Sequence, residues 1–137
     1  MDRRFYIAGF FFGLIGIVLG AFATHGLKPL LTPEAVDSFE TGAKYQIYHA
    51  LLFLILGNMK LLGQKVSNWV FYLVMIGVVF FSGSIYLLST NALTSFDFRV
   101  IALITPLGGS LLILAWVILL IHFVKLKNKN SRRVSQI

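Results

Sequence analysis

Four long apolar runs joined by short polar connections leave this chain little choice of fold. The first, Phe5–Thr24, contains no charged side chain. At about 1.5 Å per residue it reaches roughly 30 Å, the thickness of a bilayer's hydrocarbon core. The second, Tyr45–Leu62, is shorter and carries Lys60 near its end, where the aliphatic stem can snorkel to the interface. Trp69–Ser89 and Val100–Val124 complete the set. Backbone groups in lipid must be bonded within their own segment, so each run is expected to be a helix. Charged residues make up 12% of the chain, about half the share usual in soluble domains. The expectation is an all-α integral membrane four-helix bundle. It forms one domain over residues 1–124, with a short helical extension before the second span and a basic, disordered tail over 125–137. A rival reading takes the first run as a signal peptide, because Ala21-Phe22-Ala23 resembles a cleavage site. The run is long for that, and its glycines are too regular for a disposable segment.

Four crossings put both termini on one side of the membrane. That side holds nine of the 12 basic residues: Arg3, Arg4, Lys60, Lys65 and the five of the tail. Lys28, Lys44 and Arg99 lie opposite, with four of the five acids. By the positive-inside rule the termini are cytoplasmic, in the cell membrane. The net charge of +7 therefore follows membrane orientation, and no nucleic-acid partner is inferred. The bilayer is the first partner, and a second copy or another membrane protein the next. The absence of cysteine excludes disulfides, thiol nucleophiles and zinc-thiolate sites.

Apolar side chains gain little by leaving hydrocarbon for a neighbouring helix, so small residues that admit close packing drive association. Gly9, Gly13, Gly16 and Gly20 repeat at spacings of four, three and four, on one face of the first helix. Gly77, Ser84 and Asn91 share a face of the third, and Ala102, Thr105, Gly109 and Trp116 a face of the fourth. Pro106 cannot donate to Ala102, so a kink in the fourth helix is expected there.

The candidate functional residues gather around the second run. Thr32 before Pro33 reads as a helix N-cap, so one helix carries Glu40, Lys44, Tyr45, Gln46, Tyr48 and His49 into the membrane. Glu40 and Lys44 stand at i, i+4, and Tyr45 and His49 form a second such pair. His25, just past the first helix, could approach His49 and Glu40. Three readings compete: an interhelical hydrogen-bond network, a proton- or ligand-handling site using His25, Glu40 and His49, and a haem or metal site. Two histidines from separate segments are too few for a metal signature, so no cofactor or metal is assigned. No nucleophile–base arrangement is evident either, and the serines at 82, 84 and 89 suit packing, so no enzymatic role is inferred.

Four segments carry a resemblance. Gly20-Ala-Phe-Ala-Thr-His25-Gly26-Leu matches a GAFGAHGL signature, and Phe39-Glu40-Thr-Gly-Ala-Lys-Tyr45-Gln46-Ile-Tyr48-His49-Ala an FETGxxYQxYHA signature. Phe81-Ser82-Gly83-Ser84-Ile-Tyr86-Leu87 and Thr105-Pro106-Leu-Gly108-Gly109 match FSGSxYL and TPLGG elements. In this order over about residues 5–124 the chain resembles the YgdD-like family, number 423 among the domains of unknown function, related to animal transmembrane protein 256. Thr24, where the signature has glycine-alanine, keeps a small residue. The resemblance implies a small four-helix membrane protein whose motif residues have no assigned chemical role.

Overall fold

The structure, a computed structural model, describes residues 2–135. Four α-helices run in sequence: α1, Arg3–Phe22; α2, Pro33–Asn58; α3, Gln64–Ser89; and α4, Ile104–Val134. Among the described residues there is no strand. Successive helices are antiparallel, with α2 and α3 at the centre, α1 along α2 and α4 along α3. Asp2 caps α1, its carboxylate accepting from the Arg4 N–H at 3.1 Å. Thr32 caps α2 as its sequence implies, accepting from Ala35 at 3.3 Å with Pro33 at the first helical position. After α1 the helix widens into a π-helical turn, Ala23–Leu27, whose Ala23 and Leu27 are buried against Phe39 of α2.

Among the described residues, three segments are long and apolar enough to cross a membrane: Arg3–Leu27, Gln64–Ser89 and Phe98–Leu126. The helix α2 differs from the expected second span. Its outer turns carry Glu34, Asp37, Glu40 and Lys44, and it ends at Asn58, before Leu62, because the chain reverses over Met59–Gly63. From Tyr45 to Asn58 it reaches only about 20 Å. The amphipathic turns before that complete its length, burying Val36, Phe39, Gly42 and Ala43 against the neighbouring helices.

Two further expectations are corrected. Pro106 kinks nothing, because α4 begins at Ile104 and the proline falls in its first turn, where the missing N–H has no intrahelical partner to lose. The residues before it form a separate 3₁₀ turn, Phe98–Ile101, capped by Asp97. The basic tail, expected to be disordered from Lys125, continues α4 as far as Val134. Lysine and arginine are good helix formers, and no glycine or proline interrupts them. Gln136 and Ile137 lie outside the described residues.

At the end of the bundle holding the α1 N-terminus, Phe5, Phe53 and Phe71 form an aromatic knot with centroids 5.1–5.9 Å apart. From there the core runs through Val70, Val74 and Val78 to Leu112, Ala115 and Leu119 of α4. Glycines set the helix spacing. A Cβ at Gly9 would lie 2.6 Å from Leu54, and one at Gly16 2.8 Å from Ile47, so this stripe faces α2. Gly13 has only ordinary contact with Ala50, and Gly20 touches nothing within 4 Å. Between α3 and α4, Gly77 lies against Leu112. The closest approach there belongs to Gly108, whose neighbours are the backbone of Phe80, Phe81 and Gly77. Gly109, on the expected face, meets only the Phe81 ring at 3.5 Å.

Candidate functional site: a buried polar seam across the bundle

The polar side chains of α2 divide by face. Gln46 and His49 point inward and are buried, while Lys44, Tyr45 and Tyr48 are exposed and Glu40 half-buried. His25 is exposed on the π-helical turn. Among the described residues no hydrogen bond or ion pair joins His25, Glu40 and His49, and Glu40 forms no salt bridge with Lys44. The expected pairing at i, i+4 is thus absent. An exposed ion pair in water contributes about 0–1 kcal/mol and has little power to fix two long side chains. His122, on α4, approaches the Leu61 carbonyl at 3.0 Å and ties α4 to the turn between α2 and α3.

The inward groups form a seam. Nε2 of Gln46 donates to the Phe12 carbonyl oxygen of α1 at 2.8 Å, and its Oε1 accepts from the Tyr86 hydroxyl of α3 at 2.7 Å. One amide therefore bridges three helices. One turn earlier on α2, the Gly42 carbonyl accepts from Ser82 Oγ at 2.7 Å. One turn later, Trp116 of α4 donates its indole N–H to His49 Nε2 at 3.2 Å. An indole only donates, so Nε2 is the acceptor and the proton sits on Nδ1, which meets the Tyr45 carbonyl at 2.7 Å. This is the neutral imidazole with both nitrogens engaged. Ser84 and Thr105 close the set between α3 and α4, with hydroxyl oxygens 2.6 Å apart.

Glycines make these bridges sterically accessible. A Cβ at Gly16 would press on Ile47 at 2.8 Å, with the Gln46 amide beside it in ordinary contact at 3.5 Å as it reaches the Phe12 carbonyl. A Cβ at Gly42 would sit 2.9 Å from the Tyr86 ring, beside the carbonyl that holds Ser82. Close backbone approach and polar bridging are one design at two positions. Among the described residues no buried side-chain nitrogen or oxygen lacks a partner, and no three histidine, aspartate or glutamate side chains gather as metal ligands.

Beside the seam, Tyr45, His49, Phe81 and Trp116 line a pocket of about 320 Å³. Trp116 and Tyr86 are the residues whose site roles are least visible in the sequence. Trp116 reads there as one member of a packing face, and Tyr86 as a letter of the FSGSxYL element. The signal for Tyr86 is that same motif, with Ser82 one turn away on the same helix face.

Comparison with known proteins places the chain. Residues 19–109 match a family model described as Protein of unknown function (DUF423). The chain belongs to this family. A UPF0382 membrane protein of Staphylococcus saprophyticus is 38% identical over 124 residues, covering 90% of this chain and 99% of that protein. UPF0382 membrane protein YwdK of Bacillus subtilis is 33% identical, with 90% and 98% covered. UPF0382 inner membrane protein YgdD of Escherichia coli is 32% identical, with 85% and 86% covered. No solved structure matches. The DUF423 match spans the π-helical turn, all of α2 and α3, and the start of α4. It therefore contains every residue of the seam except Phe12, which contributes only a backbone carbonyl, and Trp116. The chain is a helical membrane protein of a family without an established activity.

Proposed function

We propose that this protein is a non-enzymatic member of the cytoplasmic membrane that packs against, scaffolds or modulates a membrane partner or a second copy of itself. The seam carries the reading: Gln46, His49, Ser82 and Ser84 each bond to a neighbouring helix, and no buried nitrogen or oxygen among them lacks a partner. Buried polar groups so arranged fix which helices pack and in what register. What the fold offers outward is apolar, with Phe10, Leu14 and Ile17 on α1 and Ile113, Trp116 and Leu120 on α4 all exposed.

Both termini lie in the cytoplasm, supported by four antiparallel helices and by the basic residues at the α1 and α4 ends. The chain has no native cysteine, so Ser95→Cys in the α3–α4 connection should react with a membrane-impermeant maleimide in intact cells. Gln64→Cys should react only after lysis, and the reverse pattern would refute the orientation. The activity reading is tested in proteoliposomes. Flux of protons or small solutes should equal that of empty vesicles; flux above that level, lost in His49→Ala, would establish a transport role instead.

A further inference from the structure

A shallow depression near the start of α3 is followed along the same helix by an apolar groove shared with α1. The depression, about 270 Å³, is lined by Lys65, Asn68, Trp69 and Tyr72 in the first turns of α3. The groove, about 480 Å³, lies between Ile7 and Phe11 of α1 and Phe71, Met75 and Val79 of α3, with Arg4 at its rim. Arg4 joins the two. Its Nη2 donates to Asn68 Oδ1 at 2.8 Å, and its guanidinium sits 5.2 Å from the Phe71 ring centroid. Trp69 and Tyr72 are 61% and 54% exposed, at the depth where amphipathic aromatics border a bilayer.

The charge here is one-sided. Arg3, Arg4, Lys60 and Lys65 stand at this end of the bundle with Asp2 as the nearby acid, and Asp2 is taken up by Arg4 at 2.8 Å. Lys65 is exposed and forms no salt bridge among the described residues. An occupant must therefore be anionic at one end and hydrocarbon along the rest, which is the shape of an anionic glycerophospholipid.

We propose that this face is a binding site for one such lipid of the cytoplasmic leaflet, its phosphate on the exposed ammonium of Lys65 and one acyl chain in the groove between α1 and α3, with Arg4, paired to Asp2, at the groove's rim. The leaflet rests on the orientation proposed above. Detergent has no sides, so the binding result below stands apart from that orientation, which cysteine labelling decides separately.

The test is native mass spectrometry of the full chain in a neutral detergent, with phosphatidylglycerol and phosphatidylcholine of identical chains. Retention of phosphatidylglycerol should be about tenfold tighter. Lys65→Gln should weaken it about fivefold, the effect of one basic residue at such a surface, and leave phosphatidylcholine unchanged. Val79→Trp fills the groove from an exposed position and should weaken both lipids, with the helical circular dichroism retained. Equal retention of the two lipids by the wild type, or no effect of Lys65→Gln, would overturn the site. Displacement of the lipid by soluble glycerol 3-phosphate would overturn it too, since the groove would then contribute nothing.

Discussion

Replacing Gly108 with alanine is the sharpest test of how α3 and α4 pack. The new Cβ would lie 2.8 Å from the Phe80 carbonyl carbon and 2.9 Å from the Gly77 carbonyl oxygen, against the Phe81 amide nitrogen as well. All three are backbone atoms within a helix, and none can turn aside as a side chain could. The helices must separate, and a gap of about 0.5–1 Å forfeits a quarter to a half of each dispersion contact across it. Nearby contacts share the loss, including Gly77 against Leu112 and the 2.6 Å approach of Ser84 to Thr105. Overpacking of this kind costs about 1–3 kcal/mol, and rigid backbone neighbours place it at the upper end. Alanine's better helix propensity returns about 1 kcal/mol. The net is about 2 kcal/mol, or a melting midpoint roughly 6–10 °C lower for a chain of this length. Gly83→Ala is the control, because nothing lies within 4 Å of its Cβ position; it should gain about 0.5–1 kcal/mol. Both are read by thermal melting of detergent-purified protein at 222 nm. Gly108→Ala melting at or above the wild type would show that α3 and α4 do not pack backbone to backbone at this position.

Two more outcomes follow from polar contacts. The Arg99 guanidinium and backbone N–H hydrogen-bond to Asp97 and hold its carboxyl down at about 2, below its ordinary 3.8. A depressed carboxylate stabilises the loop fully above its unfolded pKa and loses that contribution as pH falls through the folded one. The Asp97 carboxyl resonance should therefore titrate near 2, and a midpoint near 3.8 would disprove the pairing. Separately, Ser84→Ala leaves the Thr105 hydroxyl without its 2.6 Å partner and should lower stability by about 1 kcal/mol. Adding Thr105→Val should cost little more than the single change, and strictly additive losses would contradict the bond.

The helices were legible because apolar length and the requirement for internal hydrogen bonds dictate them. The α1 glycine face was legible at Gly9, Gly13 and Gly16 because a 3.6-residue period fixes which residues share a face. The fourth-helix stripe slipped by one residue, from Gly108 to Gly109. Two adjacent glycines point about 100° apart, and only the facing backbone of α3 selects between them. The convergence of His25 with Glu40 and His49 failed for a similar reason. Proximity along the chain gives depth in the membrane, whereas azimuth depends on the π-helical turn, which leaves His25 outward. Pro106 misled because its effect depends on where the helix starts, and the Asp97-capped turn places that start at Ile104. Gln46 was singled out from its motif, but its partners are a carbonyl 34 residues away and a hydroxyl 40 residues away. No local pattern names such partners.

The buried polar side chains of α2, Gln46 and His49, bond to neighbouring helices and hold the bundle in register. A double-mutant cycle of Gln46→Leu and Tyr86→Phe, read by melting in detergent, tests this directly. Interhelical bonds in membranes couple by about 0.6 kcal/mol on average and up to about 1.7. The amide shared by three helices predicts a coupling in the upper part of that range, with each single change destabilising. Purely additive effects, or a Gln46→Leu protein as stable as the wild type, would contradict the claim.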